Sequence, residues 1–187
     1  MTVKDGRVRR ISDDRRRGRW QIIRPDSRLA CGLAVRSCAG LGSKAYPAAN
    51  KALAYPFRVE KDFQIQEAWM ESVSNGAGVH VDIGVYDHTY TKVATIGSTA
   101  WTNSTGIQTF SFSQLIAAGR YFAAIAMDST GGGTKSYICG DGSGVLFRML
   151  GCWSKTSAFA LPSGTVTPST YGDDNLPIFG FAGVTVV

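Results

Sequence analysis

The side chains able to do chemistry are few, and their spacing selects no reaction. Only two histidines are present, His80 and His88. His80, Asp82 and Tyr86 share one parity of the alternating run 79–86, so an acid–base pair or part of a metal site is geometrically open to them. The expectation is nonetheless the solvated side of an amphipathic strand, because a third ligand of the zinc type is missing nearby. Glycoside cleavage needs two carboxylates facing each other across a cleft. Glu67, Glu71, Asp82, Asp87, Asp128 and Asp141 are candidates, and nothing in their spacing picks out a pair. There is no G-x-S-x-G nucleophile elbow. Residues 131–136 (GGGTKS) look like a phosphate loop, but Thr134 stands where that loop needs glycine and no helix pattern follows, so a hairpin tip is expected. Residues 140–144 (GDGSG) lack the last glycine of a dinucleotide fingerprint. Cys31, Cys38, Cys139 and Cys152 miss the short spacing of a structural zinc site. Half-buried thiols are expected there, with a Cys139–Cys152 bridge the main exception. No catalytic, cofactor-binding or metal-ligating set is assigned, and a non-enzymatic role is expected.

Aromatic side chains are the remaining candidates for contact. Trp69 and Trp153 sit in strand-like apolar surroundings and read as core. Trp101 lies in the polar stretch 97–103, with Tyr90 in a neighbouring loop. A loop anchor or subunit contact is expected there, and contact of Tyr90 and Trp101 with a glycan is the alternative.

The elements that must position these residues are strands. Val and Ile together number 25 against 9 Leu and 3 Glu, and 32 Ser or Thr accompany 22 Gly. Branched side chains suit a pleated surface, and straight-chain helix formers are scarce. Period-two runs cover 52–59, 63–73, 79–86, 92–96, 107–112, 121–127, 137–139, 145–150 and 178–186. Pro56 predicts an edge or bulge in the first, since proline cannot donate to a ladder. Glu67 interrupts the face shared by Phe63, Ile65 and Trp69 and predicts a bulge or partial exposure. Asn75-Gly76 is a hairpin signal. The run 121–127 is apolar on both parities, as in a central strand covered on both faces. Only 113–118 looks like a helical turn. The expected fold is all-β: a two-sheet antiparallel β-sandwich of jelly-roll type, over residues 51–187. No apolar stretch reaches the ~18 residues of a membrane helix.

Charge separates the chain into zones. Residues 1–28 carry ten Lys or Arg against four Asp, which is the whole net charge of +6; the rest is neutral. A basic face on the body, the footprint of a sequence-reading nucleic-acid binder, is therefore not expected. In the basic arm, Arg7, Arg9, Arg10, Arg15, Arg16, Arg17 and Arg19 interleave with Trp20, Ile22 and Ile23, and Asp13 and Asp14 break the run. Mixed signs and apolar anchors suit a protein groove better than a phosphate backbone. Residues 29–50, Gly/Ala-rich and without a clean period, read as a connector packed on the body. No basic start followed by an unbroken apolar stretch is present, so assembly in the cytosol is expected, and with it function without disulfides.

From residues 52 to 181 the chain carries AYPFRV (54–59), NG (75–76), VDIGVYD (81–87), GSTA (97–100), AGRYFAAIAMD (118–128), AFALPSGTVTPSTY (158–171) and LPIFGF (176–181). On these stretches it resembles β-sandwich structural proteins of tailed-bacteriophage virions: capsid decoration (cement) proteins, head fibres and tail-tip modules. The resemblance spans about 130 residues in consistent order. It implies a virion part, with the major capsid protein or other virion proteins as partners and a homotrimer as the assembly. It carries over no active site, no cofactor and no membrane partner. The small size and lack of a shaft repeat favour a capsid decoration protein on the shell surface, fastened by its arm. A fibre-associated module recognising a cell-surface glycan is the alternative.

Overall fold

Alternation of branched and aromatic side chains with polar ones is what a strand needs to bury one face, and the structure, a computed structural model, uses it throughout. It describes residues 21–22, 29–31, 40–73, 78–101, 105–138, 151–170 and 175–186. The strands are β1 (Gln21–Ile22), β2 (Leu29–Cys31), β3 (Gly40–Ala45), β4 (Lys51–Val59), β5 (Phe63–Ser72), β6 (His80–Asp87), β7 (Lys92–Thr95), β8 (Thr99–Ala100), β9 (Gly106–Ile116), β10 (Gly119–Met127), β11 (Gly133–Ile138), β12 (Trp153–Lys155), β13 (Ser169–Thr170), β14 (Asn175–Pro177) and β15 (Phe179–Thr185). No helix occurs among the described residues.

Two sheets pack face to face. The first runs β13-β12-β4-β10-β6-β7, with β1 beside β4 and β8 beside β6. The second runs β14-β11-β5-β15-β2, with β3 beside β11 and β9 beside β5. Among the described residues every strand pairing is antiparallel except that of β1, which lies parallel to β4 with Gln21 opposite Phe57 and Ile22 opposite Arg58. The fold is thus an all-β sandwich, as the residue usage predicts. Gly40–Ala45, inside the stretch read as a connector, is a six-residue strand of the second sheet.

The main core lies between the sheets. Val81, Ile83 and Val85 of β6, Ala123, Ile125 and Met127 of β10, and Leu53, Tyr55 and Phe57 of β4 face Ile65, Ala68 and Met70 of β5 and Phe179 and Phe181 of β15. β10 is the central strand: Ile125 stands opposite both Leu53 and Ile83. Residues Phe122 to Met127 are all buried, as expected of a strand covered on both faces.

Three expectations change, and a fourth is borne out with a consequence for Trp69. The 113–118 stretch is not a helical turn: β9 continues to Ile116, held opposite Phe63 of β5, so cross-strand pairing overrides the local signal. Pro56 does not mark an edge. β10 flanks β4 on one side, while β12 and β1 share the other, and Pro56 falls in the gap between those short partners, where a missing N–H costs least. The bulge predicted near Glu67 exists, as a register shift between Ile65 and Glu67 against β9. Against β15 the same place holds one extra residue in β5, which flips the parity, so Ala68 and Met70 point inward. Trp69 shares the outward parity with Thr109 and Gly180, buried but outside the main core. Finally, the outer face of β6 is not solvated. Asp82, Gly84 and Tyr86 are buried under residues 156–168, which form a strap across the first sheet.

Candidate functional site

Beneath the strap, the outward residues of β4, β6 and β10 meet a second apolar cluster. Ala52, Ala54, Phe122, Ala124 and Ala126 supply its floor, and Ala158, Leu161 and Val166 of the strap its lid. Small floor residues are required because the strap lies directly on the sheet. A Cβ on Gly84 would stand 2.6 Å from the Ala94 carbonyl and 3.1 Å from the Leu161 side chain. The strap is also tied by backbone bonds: Ala158 N–H donates to Asn50 O (2.7 Å), Lys92 N–H to Gly164 O (3.1 Å) and Val166 N–H to Tyr90 O (2.9 Å).

Asp82 sits at the centre of this seam, with no exposed surface. One carboxylate oxygen accepts from the Thr95 hydroxyl and the other from the Leu161 amide at 2.9 Å. The Lys92 ammonium donates to the Leu161 carbonyl at 2.9 Å, and the Tyr86 hydroxyl to the Pro162 carbonyl at 2.8 Å. Burial pushes the Asp82 carboxyl up from 3.8 to about 6, against the opposing pull of the Leu161 amide, Lys92 and the Gly97 amide. Burial, and then the Asp82 charge, also raises the Tyr86 phenol. A carboxyl titrating near 6 has a pKa fit for proton transfer at neutral pH. Here, though, both oxygens are engaged and the strap closes over them, so the group has no route to a substrate. Its work is to clamp strand β6, the end of β7 and the strap together. Sequence reasoning missed this clasp, since the strap has no period from which its burial could be read.

Aromatic rings fill the rest of the cluster. Trp153 meets Tyr86 edge-on at 5.6 Å, and Tyr90 stacks on Phe122 at 5.1 Å. Tyr90 is therefore half-buried packing for the outer cluster. Trp101 belongs to the other cluster, between the sheets, and is 2% exposed. Its six-membered ring lies against the backbone of Gly132, where a Cβ would come within 2.1 Å. The structure does not bring together Tyr90 and Trp101, the alternative glycan contact: Tyr90 packs on the outer cluster of the first sheet and Trp101 lies in the core between the sheets. The same packing explains the glycine run. Gly132 makes room for an indole, Gly133 opens β11, and Thr134 and Ser136 point into the interior, so residues 131–136 form no phosphate cradle.

Among the described residues the one partly exposed acid–base pair is His80 with Asp128. Asp128 accepts from the His80 amide through Oδ1 and from the imidazole Nδ1–H through Oδ2, both at 2.9 Å. The carboxylate favours a proton on Nδ1 of this ring. No hydroxyl or thiol is hydrogen-bonded to that ring among the described residues, so no nucleophile is activated by it. The other carboxylates are dispersed. Asp87 accepts from Thr89 and Thr91 within its own turn, and Glu67 and Glu71 lie on the outer face of the second sheet. Among the described residues no three metal-ligating side chains converge.

Arg7, Arg9, Arg10, Arg15, Arg16, Arg17, Arg19, Trp20 and Ile23 lie outside the described residues, as do Asn75-Gly76, Cys139, Asp141 and the run 145–150. Ile22 is placed in β1, against Arg58 of β4, which roots the arm at a defined position on the first sheet. Comparison of the chain with protein-family models, curated proteins and solved structures finds no match.

Proposed function

We propose that this chain is a non-enzymatic structural component of a bacteriophage virion: a capsid decoration (cement) protein that sits on the shell surface and is fastened to the major capsid protein, or to its neighbours, by its N-terminal arm. The reading rests on the sequence resemblance, and the observation that carries it further is the rooting of the arm. Gln21 and Ile22 pair with the edge of the first sheet, and eight of the ten cationic residues of the first 28 precede that strand. A neutral sandwich is thus joined at one fixed point to a cationic segment of the chain. Its arginines suit carboxylates on a partner surface through charge-assisted, bidentate hydrogen bonds, with Trp20 and Ile23 as apolar anchors. The body beneath is closed by its own strap, which suits a part that must stay rigid while displayed.

The test is to delete residues 1–19, which spares β1, and to mix the truncated protein with shells lacking it. The truncated body is expected to keep its melting temperature and to lose attachment, and full-length attachment is expected to weaken with added salt. Full occupancy by the truncated protein overturns the reading.

A further inference from the structure

Sheet edges are where β proteins recruit partners, because an edge strand presents unused N–H and C=O groups. Most edges of this sandwich are blunted. In the first sheet, β13, β12, β1 and β8 are two or three residues long, and β7 has four and carries Lys92. In the second, β2 and β14 have three residues, and β3 has six, including Lys44 and two glycines. β9 is different. It is eleven residues long, carries no charge and no proline, and among the described residues pairs only with β5, leaving its other edge open. Its outward side chains include two of the largest exposed apolar groups, Ile107 at 49% and Leu115 at 51% exposure.

The order of residues along this edge is unusual. Residues 107–115 read IQTFSFSQL, which is the same sequence of side-chain types from either end. Ile107 mirrors Leu115, Gln108 mirrors Gln114, Thr109 mirrors Ser113 and Phe110 mirrors Phe112, all about Ser111. In a two-fold antiparallel pair, residue i faces j while j faces i, so a palindromic edge places like against like. The parity agrees as well. Gln108, Phe110 and Phe112 are buried, and Thr109, Ser111 and Ser113 are exposed, so this register keeps inward residues opposite inward ones.

We propose that β9 is a homodimer interface: it pairs antiparallel with β9 of a second copy about a two-fold axis through Ser111, giving one sheet continuous across both copies. Ile107 then lies beside Leu115 of the second copy at both ends of the pair, covering the apolar groups that the single chain leaves exposed. Phe110 and Phe112 extend the core across the axis, and the hydroxyls of Thr109, Ser111 and Ser113 line the outer surface, where cross-strand hydroxyl pairs are favourable. The contact is two-fold, in place of the three-fold assembly expected from the resemblance, and does not depend on the virion reading.

Register-specific crosslinking of the full chain tests this. Ser111→Cys is expected to link to itself through a short thiol crosslinker, because directly opposed Cβ atoms in such a pair are roughly 5 Å apart. Thr109→Cys alone is not, since two copies of residue 109 are offset by four residues, or about 14 Å. A mixture of Thr109→Cys and Ser113→Cys chains is expected to link; wild-type protein controls for the native thiols. In light scattering, wild type is expected at twice the monomer mass, and Ser111→Lys, an exposed position where two like charges would meet on the axis, at the monomer mass with the circular-dichroism spectrum of the folded body retained. A wild-type monomer or trimer overturns the proposal. So does a dimer that Ser111→Lys leaves intact, or one in which Thr109→Cys links as readily as Ser111→Cys.

Discussion

Replacing Asp82 by asparagine isolates the one fully buried carboxyl among the described residues and gives its contribution a sign. In the folded chain this group is raised from 3.8 to about 6, mainly by burial. The native state therefore holds the proton more tightly than the unfolded chain does. The resulting stabilisation is fully present below about pH 4 and is lost as the pH rises through about 6. A rise of that size corresponds to about 3 kcal/mol. Other carboxylates act in the opposite sense: Asp87, despite some burial, is held below its usual range by Thr89 and Thr91, and its contribution disappears in acid. The informative quantity is hence the difference between wild type and Asp82→Asn at each pH, in which those shared contributions cancel. Asparagine keeps one acceptor oxygen but turns an NH2 toward the Thr95 hydroxyl or the Leu161 amide, a fixed cost of about 1–3 kcal/mol. Urea unfolding at pH 3, 4, 5, 6 and 7, at one protein concentration because a dimer's stability depends on it, is expected to show the deficit of Asp82→Asn shrinking by about 3 kcal/mol across that range. In thermal unfolding the same change amounts to roughly 6–12 °C for a chain of this size. Parallel curves, with a deficit constant across the range, would refute the claim that Asp82 is sealed under the strap.

Two further outcomes follow from the packing. Gly132→Ala places a methyl group against the Trp101 ring, 2.1 Å from its nearest atom; it is expected to destabilise by about 1–3 kcal/mol, and Trp101→Phe in the same chain to recover part of that loss in a melting experiment. Tyr86→Phe removes the hydroxyl that donates to Pro162 at 2.8 Å; it is expected to cost about 1 kcal/mol and to speed amide exchange at Val166 and Leu161, and unchanged exchange there would mean that the strap is held by apolar contact alone.

What could be read in advance was local, and what could not was tertiary. The alternation of Val79, Val81, Ile83 and Val85 identifies a strand and its buried face because period two is a property of the chain itself. Glu67 signals a bulge for the same reason, although the consequence, Trp69 turned to the outer face, requires counting parity through the irregularity. The covering of Asp82 and Tyr86 depends on Leu161 and Val166, some eighty residues away in a segment with Pro162 and Gly164 and no period. Trp101 was misleading in its polar neighbourhood because its cavity is made by Gly132, thirty-one positions on. The strand Gly40–Ala45 escaped because glycine and alanine give no hydropathy contrast, and its identity comes from pairing with β11. The arm's charge is plain in composition, since segregation of charge needs no fold to be seen.

The sandwich treats its two sheets unequally, and the inequality bears on how the protein is displayed. The first sheet is sealed on both faces, by the core within and the strap without, and each of its edges ends in strands of two to four residues. Such a sheet resists augmentation, and its one parallel pairing among the described residues is the contact that roots the arm. The second sheet keeps an eleven-residue uncharged edge with apolar groups at both ends. An edge of that length exposed on a free monomer invites uncontrolled pairing, and natural sheets place charge or proline on such edges when they are to stay open. β9 carries neither, which is the pattern expected of an edge that a second copy covers. Attachment through the first sheet's arm and self-association through the second sheet's edge therefore need not compete, because they use opposite layers of the sandwich. A body fixed to a surface by one layer could still pair with its neighbour by the other, and loss of either contact would leave the remaining one measurable.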